Sequence, residues 1–302
     1  LLDISAKNAD YAYLHNETII MLMFFEYHLL KSSKSAMELA NKIENQHPGT
    51  LELFAINSIY LYSGNNEKTI ELLSKRDSGN HHFPLYYLDF MLGCAKLNKI
   101  DFTAEKDFNY YLRNFKGNSF VKASYQKLAW IDLLKGDTTA YYQKMNLAKM
   151  SGNEFTDEDK QAVKEAGAKE LPNIYLLRAR LLFDGGYYER SISEIAGKPI
   201  SYFPNSKDQL EVIYRLARIY DRQEKKEKAI TNYEQTIKFG ESKPYYFAAN
   251  SALYLGLLYE NIPDTVNAIK SYRRCLSMRK HDYQNSIDQK AEAGLNRLGV
   301  KD

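Results

Sequence analysis

A chain of 302 residues with a formal net charge of +3, its acids and bases interspersed, excludes a strongly basic nucleic-acid surface. Hydrophobic residues at 44% and charged residues at 26% exclude a disordered chain. Proline is scarce at 7 and tyrosine abundant at 25, a composition suited to long helices whose seams take a ring with a polar tip.

In chain order, the first strong element is the apolar run Ile19 to Phe25, bounded by Glu17 and Glu26. It is too short to cross a bilayer and reads as a buried helix. Phe24 is followed 12 residues later by Ala36, and Pro48 closes that stretch. Asn57, Tyr60, Gly64 and Thr69 repeat the arrangement more loosely. Gly93 with Ala104 and Ala129 with Ala140 repeat it at 11 residues, which predicts turns tighter by one residue. Ser151 to Leu171 interrupts the series. There Thr156-Asp157-Glu158-Asp159 resembles a capping box, and Gly167 marks the end of a short helix. The 12-residue spacing resumes with Ala179 and Ser191, with Gly185-Gly186 in the turn and Pro204 beyond.

The last two units are the clearest. Ile213, Leu216, Ala217 and Tyr220 fall on one helical face, and Ala229, Ile230, Tyr233 and Ile237 on the next. Ala252, Leu255, Gly256 and Tyr259 form the following face, and Ala268, Ile269, Tyr272 and Cys275 the one after. In both units the small anchors lie 12 apart and an aromatic follows 4 later. A final amphipathic helix at 286–298 presents Ile287, Ala291, Leu295 and Leu298 on one side, a lid for the last apolar face.

These motifs resemble the tetratricopeptide repeat, whose pattern is aromatic-x2-Leu-Gly-x2-Tyr, then Ala-x3-Phe/Tyr, then Pro. The anchors Phe24, Asn57, Gly93, Ala129, Ala179, Ala217 and Gly256 are spaced 33, 36, 36, 50, 38 and 39 residues apart. The resemblance covers nearly the whole chain. It implies an all-α fold: an alpha-alpha superhelix, or TPR-like solenoid, of about seven helix pairs plus a C-terminal capping helix. The interval of 50 suggests two arrays, 1–150 and 151–302, in one continuous superhelix.

Nothing in the sequence assembles chemistry. His81-His82 is the one histidine pair, with no acid or cysteine beside it to complete a ligand set. Cys94 and Cys275 stand far apart and take small-residue packing slots. Nucleotide-loop and nucleophile-elbow motifs are absent, so neither an enzyme nor a metal or cofactor is expected. Asp157 to Asp159 reads as helix capping, and Trp130 as a core or seam residue.

The resemblance implies that the first helices of the pairs line a concave groove. Carried over by position, Arg180, Tyr214, Arg218, Asn250 and Leu257 form the C-terminal wall. Two guanidinium groups and an amide there suit an extended peptide carrying acidic groups. The Lys and Asn set with which some family members clamp a terminal carboxylate is missing. The N-terminal equivalents Met21, Phe25, Phe54, Phe90 and Trp130 are apolar and point to self-packing or to packing between subunits.

The function so implied is a scaffold or adaptor holding a protein or peptide partner, with a homodimer as an alternative occupant and no nucleic acid or transmembrane segment. The runner-up is a regulatory or envelope-associated, lipoprotein-type component. Leu1 is not an initiator methionine, and such a component's effector or anchor would lie upstream of it. An enzyme with an unrecognised site is the remote third reading. Location stays open between cytoplasm and a bacterial periplasm or envelope.

Overall fold

The computed structural model describes residues 15–30, 32–46, 48–76, 84–168 and 170–300; His81-His82 and Leu1 lie outside them. Every regular element among the described residues is a helix. Seven antiparallel pairs follow one another: α1 (His15–His28) with α2 (Ser33–Glu44), α3 (Thr50–Tyr62) with α4 (Asn66–Lys75), α5 (Tyr87–Asn98) with α6 (Ala104–Asn114), and α7 (Val121–Leu134) with α8 (Thr138–Met150). A single helix, α9 (Asp157–Ala166), comes next. The series resumes with α10 (Ile174–Asp184) and α11 (Tyr188–Ile195), α12 (Ser206–Arg222) and α13 (Lys226–Gly240), and α14 (Phe247–Asn261) and α15 (Thr265–Ser277). It closes on α16 (Gln284–Arg297). All seven expected pairs, the short inserted helix and the terminal helix are present.

The small anchors work as spacing predicts, but what fills the room is a ring rather than a backbone. A methyl added at Gly93 would meet the Phe108 ring at 2.9 Å, and one at Gly256 would strike the Tyr272 ring. Gly294 on α16 receives the same ring from its other side. The aromatic four residues after the second anchor is therefore the wedge that holds the pair at its crossing distance. Its hydroxyl must leave the core satisfied. Tyr272 donates to Glu260, and Tyr233 to Asp221 at 2.8 Å.

The predicted tightening of two turns is not observed. The α7–α8 turn has three residues, 135–137, as do 63–65 and 223–225, and the α5–α6 turn has five, 99–103. In the α7–α8 pair the residue missing between anchors is taken from the start of the second helix, where Ala140 is the third helical residue while Ala229 and Ala268 are the fourth of theirs. In five of the seven turns the second residue past the first helix is left-handed, at Gly64, Ile100, Gly136, Gly186 and Glu224. The next N–H then bonds back to the helix, as Asn65 N to Tyr60 O at 2.7 Å and Lys225 N to Tyr220 O at 2.9 Å. This is the Schellman closure, which satisfies carbonyls that a helix end leaves open.

Two compact units are distinguished. Unit 1 holds the described residues through Leu171 together with Leu181–Tyr187; unit 2 holds Pro172–Arg180 and Tyr188 onward. The inserted helix α9 packs on α7 and α8 and so belongs to unit 1. In unit 2 the largest core runs from Ala217 and Tyr233 through Leu253 and Tyr272 to Ile287 and Leu295.

Candidate functional site

In unit 2 the first helices α12 and α14 lie side by side. Tyr214 and Arg218 are four apart on α12, and Asn250 and Tyr254 four apart on α14, so each pair shares a helical face. The Tyr214 side chain is only 5% exposed. Its hydroxyl oxygen accepts from Asn250 Nδ2 at 2.7 Å and from Arg218 Nη1 at 3.2 Å. The Arg218 guanidinium lies 3.6 Å from the Tyr254 ring centroid, a cation–π stack. Burial pushes the Tyr214 hydroxyl above the ordinary tyrosine value, and Arg218 only partly opposes it. The group is therefore a neutral phenol at physiological pH.

Around this knot the face is aromatic and charged. Tyr246 and Phe247 pack on Tyr214, with ring centroids at 5.8 and 5.3 Å. Arg215 pairs with Glu211 one turn earlier on α12, its Nε donating at 2.8 Å. Arg180 is exposed, and its charge works against the burial that raises the Tyr246 hydroxyl.

Of the five residues expected on this wall, the fold brings Tyr214, Arg218 and Asn250 into one hydrogen-bonded cluster. Arg180 stands within electrostatic reach of Tyr246. Leu257 packs half-buried against the unit 2 core rather than facing open space. Sequence reading missed Tyr254, Tyr246 and the Glu211–Arg215 pair. The i, i+4 spacing of Asn250 with Tyr254 and of Glu211 with Arg215 was the available signal.

Unit 1 presents a different face. Of its expected apolar wall, Phe90 and Trp130 are buried, Phe54 is half-buried against Tyr87, and Met21 and Phe25 are exposed. Self-packing accounts for the buried members. Phe120 packs on this wall, its ring centroid 4.6 Å from Tyr87 and 5.0 Å from Phe90. The turn at Gly186 reaches the turn at Gly64: Asn66 Nδ2 donates to Tyr187 Oη at 3.0 Å, and Tyr187 Oη donates to Glu67 at 2.9 Å. Residues some 120 apart in sequence thus meet within unit 1.

The polar centre of unit 1 is α9. Asp159, fully buried, accepts from Phe120 N at 2.7 Å and Ala123 N at 3.0 Å. It therefore caps α7, whose own entry residue Phe120 is left-handed and carries no capping side chain. Glu165 accepts from Gln126 Nε2 at 2.7 Å, Trp130 Nε1 at 2.8 Å and Tyr141 Oη at 3.0 Å. The expected capping of α9 itself is present, Thr156 Oγ1 accepting from Asp159 N at 3.1 Å. What sequence reading missed is that Asp159 also serves a helix 36 residues earlier.

No group of three or more His, Cys, Asp or Glu side chains among the described residues is placed to hold a metal ion. Burial pushes the Cys94 and Cys275 thiols up to about 12, the opposite of what a nucleophile needs. No helix among the described residues is long and apolar enough to cross a membrane.

Residues 210–239, which cover most of α12 and of α13, match the tetratricopeptide repeat family. No curated protein matches the chain in sequence. Among solved structures, it is similar to the TPR domain of P58(IPK), at 12% identity and a TM-score of 0.32, over 97% of this chain and 82% of that one. It is also similar to the human IFIT1 dimer with m7Gppp-AAAA, at 15% identity and a TM-score of 0.27, over 99% of this chain and 72% of that one.

Proposed function

This chain is an all-α helical-repeat protein carrying a tetratricopeptide repeat, and from that premise we propose that it is an interaction scaffold or adaptor. Its unit 2 face holds a peptide or protein segment with acidic groups. The observation that supports this is the Tyr214–Arg218–Asn250 cluster. Three polar side chains from two neighbouring first helices are held in one geometry by packing and hydrogen bonds, and an exposed arginine, Arg180, lies nearby. Such preorganisation lowers the entropy lost when a ligand is bound. Stacked rings and guanidinium groups are also the residue types enriched where binding energy concentrates.

Arg180 and Arg218 test this differently. Arg180 is exposed, so Arg180→Ala removes charge without opening the core. Arg218 is a packing partner of Tyr254, so Arg218→Ala also removes a stack and is read beside a melting curve. With the full chain on an immobilised array of random-sequence peptides, bound sequences are expected to be enriched in Asp and Glu. That enrichment should fall on Arg180→Ala at unchanged Tm. Equal binding of acidic and neutral peptides by both proteins would overturn the assignment of this face.

A further inference from the structure

Two lone helices hold equivalent places in the two units. Each packs on both members of the hairpin before it: α16 on α14 and α15, and α9 on α7 and α8. Their chemistry is opposite. The helix α16 buries Ile287, Ala291 and Leu295 and closes Gly294 on the Tyr272 ring. The helix α9 buries one apolar side chain, Ala162, beside the carboxylate of Asp159.

What holds α9 is therefore its two acids. Asp159 fills the N-terminus of α7, and Glu165 fills a pocket of three donors contributed by α7 and α8, Gln126, Trp130 and Tyr141. Apolar burial drives a cap on without an alternative, whereas hydrogen bonds exchange for equivalent ones at small net change. Gly152, left-handed, precedes α9 and Gly167 caps its end, so both exits are backbone-permissive. Burial raises the Tyr62 and Tyr87 hydroxyls, and the Glu158 charge raises them further.

We propose that α9 is a releasable internal ligand: the α7–α8 hairpin is a docking surface for an acidic helix with two carboxylates six residues apart, filled by the chain's own α9 until a partner helix of that chemistry displaces it. Release frees the Trp130, Gln126 and Tyr141 donors and the α7 N-terminus together, so the incoming helix must present two acids at the same six-residue spacing. Trp130 is the single tryptophan of the chain, and its indole reports on the Glu165 pocket directly.

The test uses the full chain. In native-state hydrogen exchange, amides of 157–166 are expected to exchange through an opening that leaves α7 and α8 protected. Exchange of α9 only together with α7 and α8 overturns the proposal. In a second arm, Glu165→Ala is mixed with a labelled synthetic peptide of residues 151–171. Saturable binding is expected, weakened on the order of tenfold or more for a D159N/E165Q peptide. A folded Glu165→Ala protein that does not bind, or that binds both peptides equally, overturns it as well. If Glu165→Ala does not fold, the exchange experiment on the unaltered chain decides.

Discussion

Gly186 shows how much one residue can carry. Its backbone is left-handed, and a methyl there would run into the carbonyl oxygen of Gly64. Both penalties act at once, so Gly186→Ala is expected to cost about 2–5 kcal/mol in urea unfolding followed at Trp130. A loss of only about 1 kcal/mol, the left-handed backbone alone, would mean that the two turns do not meet in solution. The cysteines give a pH signature. Their thiols are raised from 9.0 to about 12 by burial, so the folded state holds the neutral form and the unfolded state ionises first. The stability from keeping them neutral is complete below pH 9 and is lost as pH rises from there toward 12. Cys275, fully buried, should therefore resist a disulfide-exchange reagent in the native protein at pH 8 and react only after unfolding, whereas Cys94 is partly exposed; rapid native labelling of Cys275 would contradict its burial. The arginines separate likewise by surroundings: Arg180 is exposed at the surface, whereas Arg218 is built into a stack.

At the scale of the element, the hairpin is the unit of design and its turn the most uniform part. The left-handed position falls on glycine at Gly64, Gly136 and Gly186 but on glutamate at Glu224. Glu224 is exposed, and no contact opposes its removal. Glu224→Gly relieves a left-handed side chain at the expense of a freer unfolded chain, for a net gain of about 0.5–1 kcal/mol in chemical denaturation. A destabilised variant would show that the turn is held by the side chain rather than by its backbone closure. The second hairpin departs from the pattern in another way. Its seam carries Asn57 and Thr69 where most others have Gly or Ala, and Asn57 Oδ1 and Thr69 Oγ1 are buried without hydrogen-bond partners. Polar seams of this kind explain why the anchors of that unit were harder to read than Gly256 and Ala268.

At the scale of the molecule, each unit has a core of its own and a lone helix over its last hairpin. In unit 2 that helix is fastened by apolar side chains, so Leu295→Ala is expected to cost about 2–5 kcal/mol. Trp130 belongs to unit 1, so its fluorescence transition should stay in place while the circular dichroism melt gains an earlier phase. Coincident shifts of both signals would show one cooperative unit instead of two.

The sequence by itself determined the helix pairs, their number and most of their ends. Helical periodicity, small anchors and capping residues act within a dozen neighbours, and these local rules leave their marks in local spacing. The Thr156 cap, the Gly167 stop and the final helix were all legible for that reason. The clustering of Tyr214, Arg218 and Asn250 was half legible, since helical position fixes the face but not the partner across it. Only the tertiary structure decided that Asp159 caps α7, that Glu165 gathers Gln126, Trp130 and Tyr141, and that Gly64 meets Gly186. Those contacts join residues 24 to more than 100 positions apart. Their geometry depends on how successive hairpins accumulate in space, a sum over many small angles that no single stretch of sequence encodes.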